Sequence, residues 1–491
     1  VGGGGFMVIR LANGTSTTID YRERAPLKST ETMYLGADGK IDRKLTAEGY
    51  LAPGVPGTVR GLAMAHERYG SLPWKTLVMP AADLAQKGHE LTESEADMLN
   101  WLIKNSQQFP STIAEYGRQD GKPWKKGERA VFKDLAKTLK AIAEKGPDAF
   151  YTGWIADRIA ADMAEHGGII SKEDLAQYKA VERLPVRGTF LGHEIISMPP
   201  PSSGGIALIE MLNFLERFDI GSRPRLAATT LHLEIEAMRR AFLDRAEFLG
   251  DPDFVSVPVE RLTAKGHAAI IAETLDTTRA TSSTALAHGR FPVAGHESDQ
   301  TTHFSVVDSS GNAVANTYTL EQAFGSRVVI AGTGIILNNE MGDFNKKPGE
   351  TNEDGDIGTE PNRIRPGKRM LSSMTPTIVT KDGKLLLVTG SPGGRTIINT
   401  VLDIVLGVTA FHLSAREAVD APRLHHQWLP DITFLEAGAV PVDVVETLRQ
   451  MGHTVKFGGP QGDGHSIVID PATGIAYGAN DRRSKDSKAS P

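Results

Sequence analysis

A loop gives way to a strand at ESDQTTHFS, residues 297–305. The residues before this point, 276–300, are dense in Thr, Ser, Ala, Gly and His with weak periodicity, which predicts an exposed linker. The residues after it alternate with a period of two, which predicts strands over 302–307 and 313–319. A hydroxyl residue, Thr301, therefore stands where a linker meets a strand.

This position is the one that an N-terminal threonine nucleophile requires. The Thr301 hydroxyl would attack a carbonyl, and the α-amino group of the same residue, which titrates near ~7.7–8.0, would accept the proton. That amine becomes free only when the bond between Gln300 and Thr301 is cut, and the same hydroxyl can make the cut through an ester that water hydrolyses. Taken alone, the local pattern is described more simply as a strand that begins with Thr, a residue common in strands.

Two further stretches carry groups that acyl transfer needs. Gly390-Ser391-Pro392-Gly393-Gly394 lies between a strand and a helix, where free N–H groups form either an oxyanion hole or an ordinary tight turn. Leu371-Ser372-Ser373-Met374 would bind an α-amino-acid head group if the fold brought acids to it, although exposed acids are more often plain surface. Arg22 alone is likewise more often a surface ion pair.

The composition excludes several classes of site and protein. The chain has 491 residues, 40% hydrophobic and 23% charged, which rules out collagen-like, coiled-coil and wholly disordered architectures. The absence of cysteine excludes disulfides, thiolate metal sites and a Cys nucleophile. A net charge of −6 disfavours nucleic acid or anionic membrane as a partner. Without a P-loop or a His-Glu-x-x-His motif, we predict neither a metal nor a cofactor.

The rest of the pattern predicts a mixed fold. Predicted hairpins join 6–11 to 17–21, 377–380 to 385–389 and 466–469 to 475–478. Predicted helices cover 154–165, 231–248, 396–406 and 442–451, and Ser171 with Asp174 resembles a capping box. The polar tail, 480–491, is predicted to fray.

Taken together, these stretches resemble the γ-glutamyltranspeptidase (glutathione hydrolase) family of N-terminal-nucleophile hydrolases. One family motif would be weak evidence, but seven occur here in the family's order. They are Gly2-Gly3-Gly4-Gly5-Phe6-Met7, Asp20-Tyr21-Arg22-Glu23, Met198-Pro199-Pro200-Pro201-Ser202-Ser203-Gly204-Gly205, Gly250-Asp251-Pro252-Asp253-Phe254, Gln300-Thr301-Thr302-His303, Leu371-Ser372-Ser373-Met374 and Gly390-Ser391-Pro392-Gly393-Gly394. The resemblance implies an α+β fold, a four-layer αββα sandwich with two antiparallel-rich sheets between helix layers.

The resemblance also implies a self-processing hydrolase and transferase. A zymogen would cut itself between Gln300 and Thr301 into a large subunit, 1–300, and a small subunit, 301–491, intertwined in one domain. Thr301 would take the γ-glutamyl group of glutathione or a related donor and pass it to water, an amino acid or a dipeptide. No cofactor, metal, nucleic acid or membrane is implied, and the expected location is periplasmic or secreted.

The family's site residues fall on matching positions of this chain. Thr319 would orient Thr301, and Gly393 and Gly394 would form the oxyanion hole. The residues expected to bind the substrate's α-carboxylate are Arg22, Ser372 and Ser373, and those expected to hold its α-ammonium are Glu321, Glu340 and Asp343. The chemistry agrees with this assignment, because the bidentate fork of Arg suits a carboxylate.

Three features depart from the family pattern. Glu321 and Glu340 are acids where some bacterial members have amides. The acid-rich segment 345–360 occupies the place of a flexible lid but carries no aromatic residue. The chain begins at Val1, directly before four glycines, so we expect it to start inside the family layout. The alternatives are a cephalosporin (glutaryl) acylase of the same fold and, outside it, an uncut inactive precursor or scaffold.

Overall fold

The structure is a computed structural model that describes residues 1–286, 300–352 and 356–490. The strands are β1 (Gly4–Arg10), β2 (Ser16–Asp20), β3 (His89–Glu90), β4 (Arg129–Ala130), β5 (Val181–Arg183), β6 (Val186–Phe190), β7 (His193–Ser197), β8 (Thr302–Val307), β9 (Ala313–Thr319), β10 (Val329–Ile330), β11 (Ile335–Ile336), β12 (Thr377–Lys381), β13 (Lys384–Thr389), β14 (Leu424–His425), β15 (Thr433–Glu436), β16 (Val455–Gly458), β17 (Ser466–Ile469) and β18 (Ala476–Ala479).

The α-helices are α1 (Arg43–Ala47), α2 (Thr58–Tyr69), α3 (Trp74–Lys87), α4 (Glu93–Lys104), α5 (Pro110–Tyr116), α6 (Lys133–Lys145), α7 (Asp148–Tyr151), α8 (Trp154–Glu165), α9 (Lys172–Gln177), α10 (Gly204–Glu216), α11 (Ala228–Phe248), α12 (Val259–Leu262), α13 (Lys265–Glu273), α14 (Ser283–Leu286), α15 (Thr396–Thr409), α16 (Ala415–Asp420) and α17 (Val442–Gln450). Short 3₁₀ helices span Ile220–Ser222, Glu340–Asp343 and Glu360–Asn362.

Two antiparallel sheets lie face to face at the centre. The first has the strand order β5-β2-β1-β9-β8, and the second has the order β18-β17-β13-β12-β7-β6. Between them, Phe6 and Val8 of β1 pack in the same apolar core as Ile378 and Val379 of β12. Alternation of apolar residues along β1 sends Met7 and Ile9 to the opposite face, as the two-residue period of a strand requires.

Helices cover the outer faces of both sheets. Met64 and Ala65 of α2 pack on Met7 and Ile9, on the outside of the first sheet. The apolar helix α10 packs on β6 and β7 outside the second sheet, and α15 packs beside α10. Four layers result, so the predicted αββα sandwich with two antiparallel sheets is confirmed.

Most of the predicted elements form close to their predicted bounds. The strands β8 and β9 and the helix α8 match, and Ser171 and Asp174 form the predicted capping box. The helix predicted over 231–248 begins earlier, at Ala228. The hairpin β8–β9 belongs to the first sheet, whereas the hairpins β12–β13 and β17–β18 belong to the second.

The predictions of a frayed tail and of an exposed linker are both wrong in part. Asp481, in the tail predicted to fray, is buried, because it pairs with Arg423 at 2.6 Å and accepts a bond from the Gly464 N–H at 2.8 Å. In the predicted exposed linker, Ser283 is buried and its N–H donates to Asp431 at 2.8 Å. Of that linker, residues 287–299 lie outside the described residues.

Each sheet takes strands from both sides of the Gln300–Thr301 bond. The first sheet inserts β9 and β8 beside β1, which begins at Gly4, and β1 pairs with β9 from Gly4↔Thr319 onward. In the second sheet, β12 pairs with β7 from Thr377↔Ser197. Each of the two sheets therefore joins residues that precede position 300 to residues that follow it.

Gly61 in α2 tests the packing of helix on sheet. A Cβ at this position would lie 2.1 Å from Cγ of Tyr21, so Gly61→Ala forces α2 away from the first sheet. We expect a loss of about 1–3 kcal/mol, as for other overpacked sites, seen as a lower melting temperature. Gly266→Ala is the control, since a Cβ there meets nothing within 4 Å. Equal melting temperatures for the two variants would contradict this packing.

Candidate active site

Thr301 lies one residue before the first paired residue of β8. Thr302 pairs with Tyr318, so the ladder of the first sheet begins just after the nucleophile expected from the sequence. The Thr301 side chain is half-buried, and its Oγ1 donates to the carbonyl oxygen of Gln300 at 2.6 Å. The hydroxyl thus lies against the carbonyl group that self-cleavage would attack.

The hydroxyl of Thr319 approaches the same carbonyl group. Thr319 Oγ1 donates to the oxygen of Gln300 at 3.3 Å and accepts a bond from the Glu321 N–H at 2.7 Å. Because the Glu321 N–H occupies an oxygen lone pair, the hydroxyl hydrogen is directed to Gln300. Glu321 has a φ of 78°, a left-handed conformation that a non-glycine residue rarely adopts outside a constrained site.

One pocket of about 300 Å³ collects nearly every residue that the sequence singled out. Of those candidates, only Gly393 is outside the lining, although it precedes Gly394, which is inside it. Met374 and Ile397 complete the wall. The candidates in the lining are Arg22, Gln300, Thr301, Thr319, Glu321, Glu340, Asp343, Ser372, Ser373 and Gly394.

Arg22 holds the charged end of this pocket. Its side chain is 1% exposed, and its Nη1 lies 2.5 Å from Glu340 Oε2. Its Nη2 donates to Asp343, and Glu23 lies 3.5 Å from Nη1. The Nε of Arg22 donates to the carbonyl oxygen of Met370 at 3.3 Å. One guanidinium therefore faces three carboxyl groups, which gives this end of the pocket a surplus of acid.

Burial changes the ionisation of these acids. Burial raises the pKa of Glu23 to about 8, although Arg22 acts in the opposite direction. Burial also raises the pKa of Glu340 well above its usual range, again against the effect of Arg22. A bound ammonium group would favour the ionised carboxylates, since an opposite charge nearby stabilises the charged form.

Arg245 of α11 donates hydrogen bonds to Ser203 and Ser373, and the sequence analysis did not single it out. Its Nε donates to Ser203 Oγ at 2.9 Å and its Nη2 donates to Ser373 Oγ at 3.1 Å. Ser203 in turn donates through N and Oγ to the Ser372 carbonyl at 2.8 and 2.7 Å. In the sequence, Arg245 is one of several charged residues on a long predicted helix, whereas Ser203 belongs to one of the seven family motifs.

Gly393 and Gly394 form the turn that enters α15. Their φ values are 131° and 55°, which side-chain-bearing residues rarely adopt, so glycine suits both positions. The Gly393 carbonyl accepts bonds from N–H and Oγ1 of Thr396 at 3.0 and 2.7 Å, which fixes the turn on the helix. N–H groups at such a helix start are free to bind an anionic oxygen.

Asn339 is a second residue that sequence reasoning missed. Its Nδ2 donates to Glu321 Oε2, and its Oδ1 accepts a bond from the Gln322 N–H at 3.1 Å. It thereby fixes the acid that follows Thr319 on the chain. None of the seven family motifs contains Asn339, and only its position next to Glu340 in the sequence could have indicated a role in the site.

The segment in the place of a lid is held by ion pairs and backbone bonds. Asp356 lies 3.0 Å from Arg43 of α1, and Glu350 lies 2.5 Å from Lys347. The Gly349 N–H donates to the Gly358 carbonyl at 2.8 Å. The acids at 353 and 354 lie outside the described residues. A pocket of about 550 Å³ under this segment shares Asp343 with the active-site pocket.

A hydroxyl at the start of a strand, in an αββα sandwich and beside a charged pocket, defines an N-terminal-nucleophile hydrolase. The family model described as Gamma-glutamyltranspeptidase matches residues 1–490. The chain is 47% identical over 486 residues to the glutathione hydrolase proenzyme of Escherichia coli (strain K12), covering 99% of this chain and 83% of that one. The chain belongs to the γ-glutamyltranspeptidase family, which confirms the predicted family and class of enzyme.

Solved structures agree with the fold. Cephalosporin acylase from Bacillus halodurans superposes with a TM-score of 0.85 at 25% identity, over 99% of this chain and 86% of that one. The γ-glutamyltranspeptidase of Helicobacter pylori gives a TM-score of 0.56 at 42% identity, over 57% of this chain and 80% of that one. Among the described helices, none combines the length and the apolar character needed to cross a bilayer.

Thr319 tests the geometry at Gln300. Thr319→Val keeps the side-chain shape and removes the donor to the Gln300 carbonyl. We expect self-cleavage to slow by about 10²-fold, the lower end of what one oxyanion donor contributes, as followed on denaturing gels over time. The control is Thr380→Val, a strand threonine of the second sheet whose hydroxyl bonds Glu194 at 3.1 Å. Unchanged cleavage in Thr319→Val would remove Thr319 from the mechanism.

Proposed function

We propose that the chain is a proenzyme that cuts itself before Thr301 and then transfers γ-glutamyl groups from glutathione and related donors. The observation that carries this proposal is the convergence of two hydroxyls, from Thr301 and Thr319, on the Gln300 carbonyl oxygen. Membership of the family supports it. The donor, the acceptors, the subunit division and the residue roles below are parts of the proposal.

Self-cleavage begins with attack by Thr301 Oγ1 on the carbonyl carbon of Gln300. The bond between that carbon and the Thr301 nitrogen breaks, and the hydroxyl proton passes to the departing nitrogen, which leaves an ester and a free amine. Thr319 stabilises the developing oxyanion through its hydrogen bond. Water then hydrolyses the ester, giving a carboxylate at Gln300 and an unblocked Thr301.

The mature site binds the zwitterionic head of the donor by exchange of ion pairs. Arg22 is paired with Asp343 before substrate arrives. The donor's α-carboxylate takes the place of Asp343 on the guanidinium, and Asp343 takes the α-ammonium. Ser372 and Ser373 add hydroxyl donors to the carboxylate. One ion pair becomes two, and the net charge of the pocket does not change.

Catalysis then repeats the chemistry of the cut. The head group fixes the γ-carbonyl against Thr301, which removes much of the entropic cost of reaction. Thr301 Oγ1 attacks, its own α-amine takes the proton, and the N–H groups at Gly393 and Gly394 bind the oxyanion. The leaving amine receives that proton. Water or the amine of an amino acid or dipeptide then accepts the acyl group, so ping-pong kinetics are expected.

A glutaryl acylase is the alternative that the relatives raise, since one similar structure is a cephalosporin acylase. A glutaryl group has a terminal carboxylate and no amine. Glu321, Glu340 and Asp343 all line the pocket, and a glutaryl carboxylate that displaced Asp343 from Arg22 would leave the charge of Asp343 unanswered, because the acyl group has no ammonium. This surplus of acid favours the γ-glutamyl group.

The two products of the cut are proposed to remain together as a large subunit, 1–300, and a small subunit, 301–491. Strands of both lie side by side in each sheet, which supports this assembly. A periplasmic or secreted location is proposed by family analogy alone.

Thr301 tests both halves of the mechanism. Thr301→Ala should remain a single band on denaturing gels and fail to release p-nitroaniline from γ-glutamyl-p-nitroanilide, because nucleophile and ester are both lost. Thr301→Ser is the matched control, since it keeps a hydroxyl and an N-terminal amine, and it should retain both reactions. N-terminal sequencing of the smaller wild-type band should begin at Thr301. Turnover by uncut protein would refute the role of the free amine.

Asp343 separates the two acylase hypotheses. Asp343→Asn should lower kcat/KM for γ-glutamyl-p-nitroanilide by roughly 10–100-fold, because a hydrogen bond to a charged group contributes about 1.5–3 kcal/mol. Glutaryl-p-nitroanilide is the control substrate on the same variant, and the wild type should reject it. A wild type that prefers the glutaryl anilide would establish the acylase instead.

A further inference from the structure

The described residues contain three groups of acids and histidines outside the active site with ligand atoms close enough for one metal ion. In the first, Glu236 is already paired with Arg239 and Arg240, whose charges would repel a cation. In the second, the ligands come from residues 162–166 at the end of α8, and Asp162 already accepts the Ala331 N–H. The third joins three helices, and among the described residues no Arg or Lys side chain forms an ion pair with its ligands, whose charged contact is the one between His267 and Asp244.

We propose that Glu210, Asp244 and His267 form a binding site for a divalent transition-metal ion such as Zn²⁺. Glu210 belongs to α10, Asp244 to α11 and His267 to α13, all in the helix layer outside the second sheet. One bound ion would therefore connect α10 to α11 and α13, the two helices that pack against it.

The distances suit a common ion. One ligand atom from each of the three side chains lies within 4.8 Å of the other two, and His267 Nε2 lies 2.6 Å from Asp244 Oδ2. Zinc binds imidazole nitrogen and carboxylate oxygen at about 2.0–2.2 Å. A small side-chain adjustment, opening the His267–Asp244 contact, would place the ion between the three ligands.

An unpartnered buried oxygen is the second and independent observation. Glu210 is 1% exposed and its carboxyl group shares a hydrogen bond with Asp244, but within the described part of the chain its Oε1 has no partner. Buried polar atoms normally have a partner, so this oxygen calls for one. One helical turn further along α10, Oδ1 of Asn213 is buried and has no partner among the described residues either.

The surrounding charge and the exposure also fit. Two carboxyl groups in contact repel unless a proton or a cation lies between them. The positive group that acts on Glu210 is Arg261, whose guanidinium also lies over the Phe248 ring at 4.3 Å. The side chains of Asp244 and His267 are 14% and 11% exposed, so an ion can enter from solvent.

The donor set selects the kind of metal. Two carboxylates and one imidazole suit Zn²⁺, Mn²⁺, Co²⁺ and Ni²⁺, whereas Mg²⁺ and Ca²⁺ prefer oxygen alone. The site contains no residue of the active-site pocket. Its function would be to stabilise the helix layer, and its neighbour Arg245, on the same helix as Asp244, contacts Ser373.

The test is binding of zinc itself to the tag-free full chain after dialysis against a chelator. Isothermal titration calorimetry should show one zinc ion per chain, and zinc should raise the melting temperature. Glu210→Gln and His267→Gln should each weaken zinc binding by at least about 100-fold, at or beyond the upper end of the 10–100-fold loss typical of an outer-shell partner. Glu165→Gln, in the exposed cluster on α8, is the matched control and should bind zinc as the wild type does.

Each outcome decides the proposal. Glu210→Gln is nearly isosteric, so it should keep the metal-free melting temperature and lose only the increase caused by zinc. Cobalt provides a second readout, because its visible absorption should change in His267→Gln. Zinc binding that is absent from the wild type, or unchanged in either variant, would overturn the proposal and leave a shared proton as the account of the Glu210–Asp244 contact.

Discussion

The rest of the site depends on the ion pairs and hydrogen bonds of the buried Arg22 guanidinium. A charge removed from water must be matched by opposite charge and hydrogen bonds, or it costs several kcal/mol. Here the match is made by Glu340 and Asp343 of a 3₁₀ helix and by the carbonyl of Met370, segments that follow Arg22 by more than 300 residues. The guanidinium thereby fixes the loop after β2 to the part of the chain that follows the nucleophile, and it leaves an excess of acid facing the pocket.

That excess of acid lies in the same pocket as the two hydroxyls. Its lining combines Glu340 and Asp343, which pair with Arg22, with the hydroxyls of Thr301 and Thr319. The Gln300 carbonyl oxygen lies against those two hydroxyls, where a substrate carbonyl would later bind under the proposed function. The proposed self-cleavage would require only these hydroxyls, because the carbonyl that is attacked is already attached to the nucleophile. An external donor lacks that attachment and would gain its position from the charged groups around Arg22.

The sequence predicts the elements well where the signal is local. Alternation bounded by Asp-Ser-Ser-Gly-Asn predicts β8 and β9 at their observed ends, and the motifs predict nearly all of the pocket lining. Contacts between residues that are far apart in the sequence cannot be predicted from a local pattern. Arg245 contacts Ser373 from a helix 128 residues earlier in the chain, so only the packed fold reveals it. The buried Asp481 likewise depends on Arg423, and a polar tail read without that partner is predicted to fray.

The position of the proposed cut explains how the fold would survive it. Pairing of β8 starts at Thr302↔Tyr318, one residue after the bond between Gln300 and Thr301, so breaking that bond removes no rung of the sheet. On the other side, the chain is already anchored at Ser283, whose N–H donates to Asp431 and whose carbonyl accepts the Trp428 indole N–H at 2.9 Å. Both partners lie after Thr301 in sequence, so the anchor crosses the cut and does not depend on the intact bond. Cleavage can therefore free the amine of Thr301 while the sheet and the anchor hold both chain segments in place.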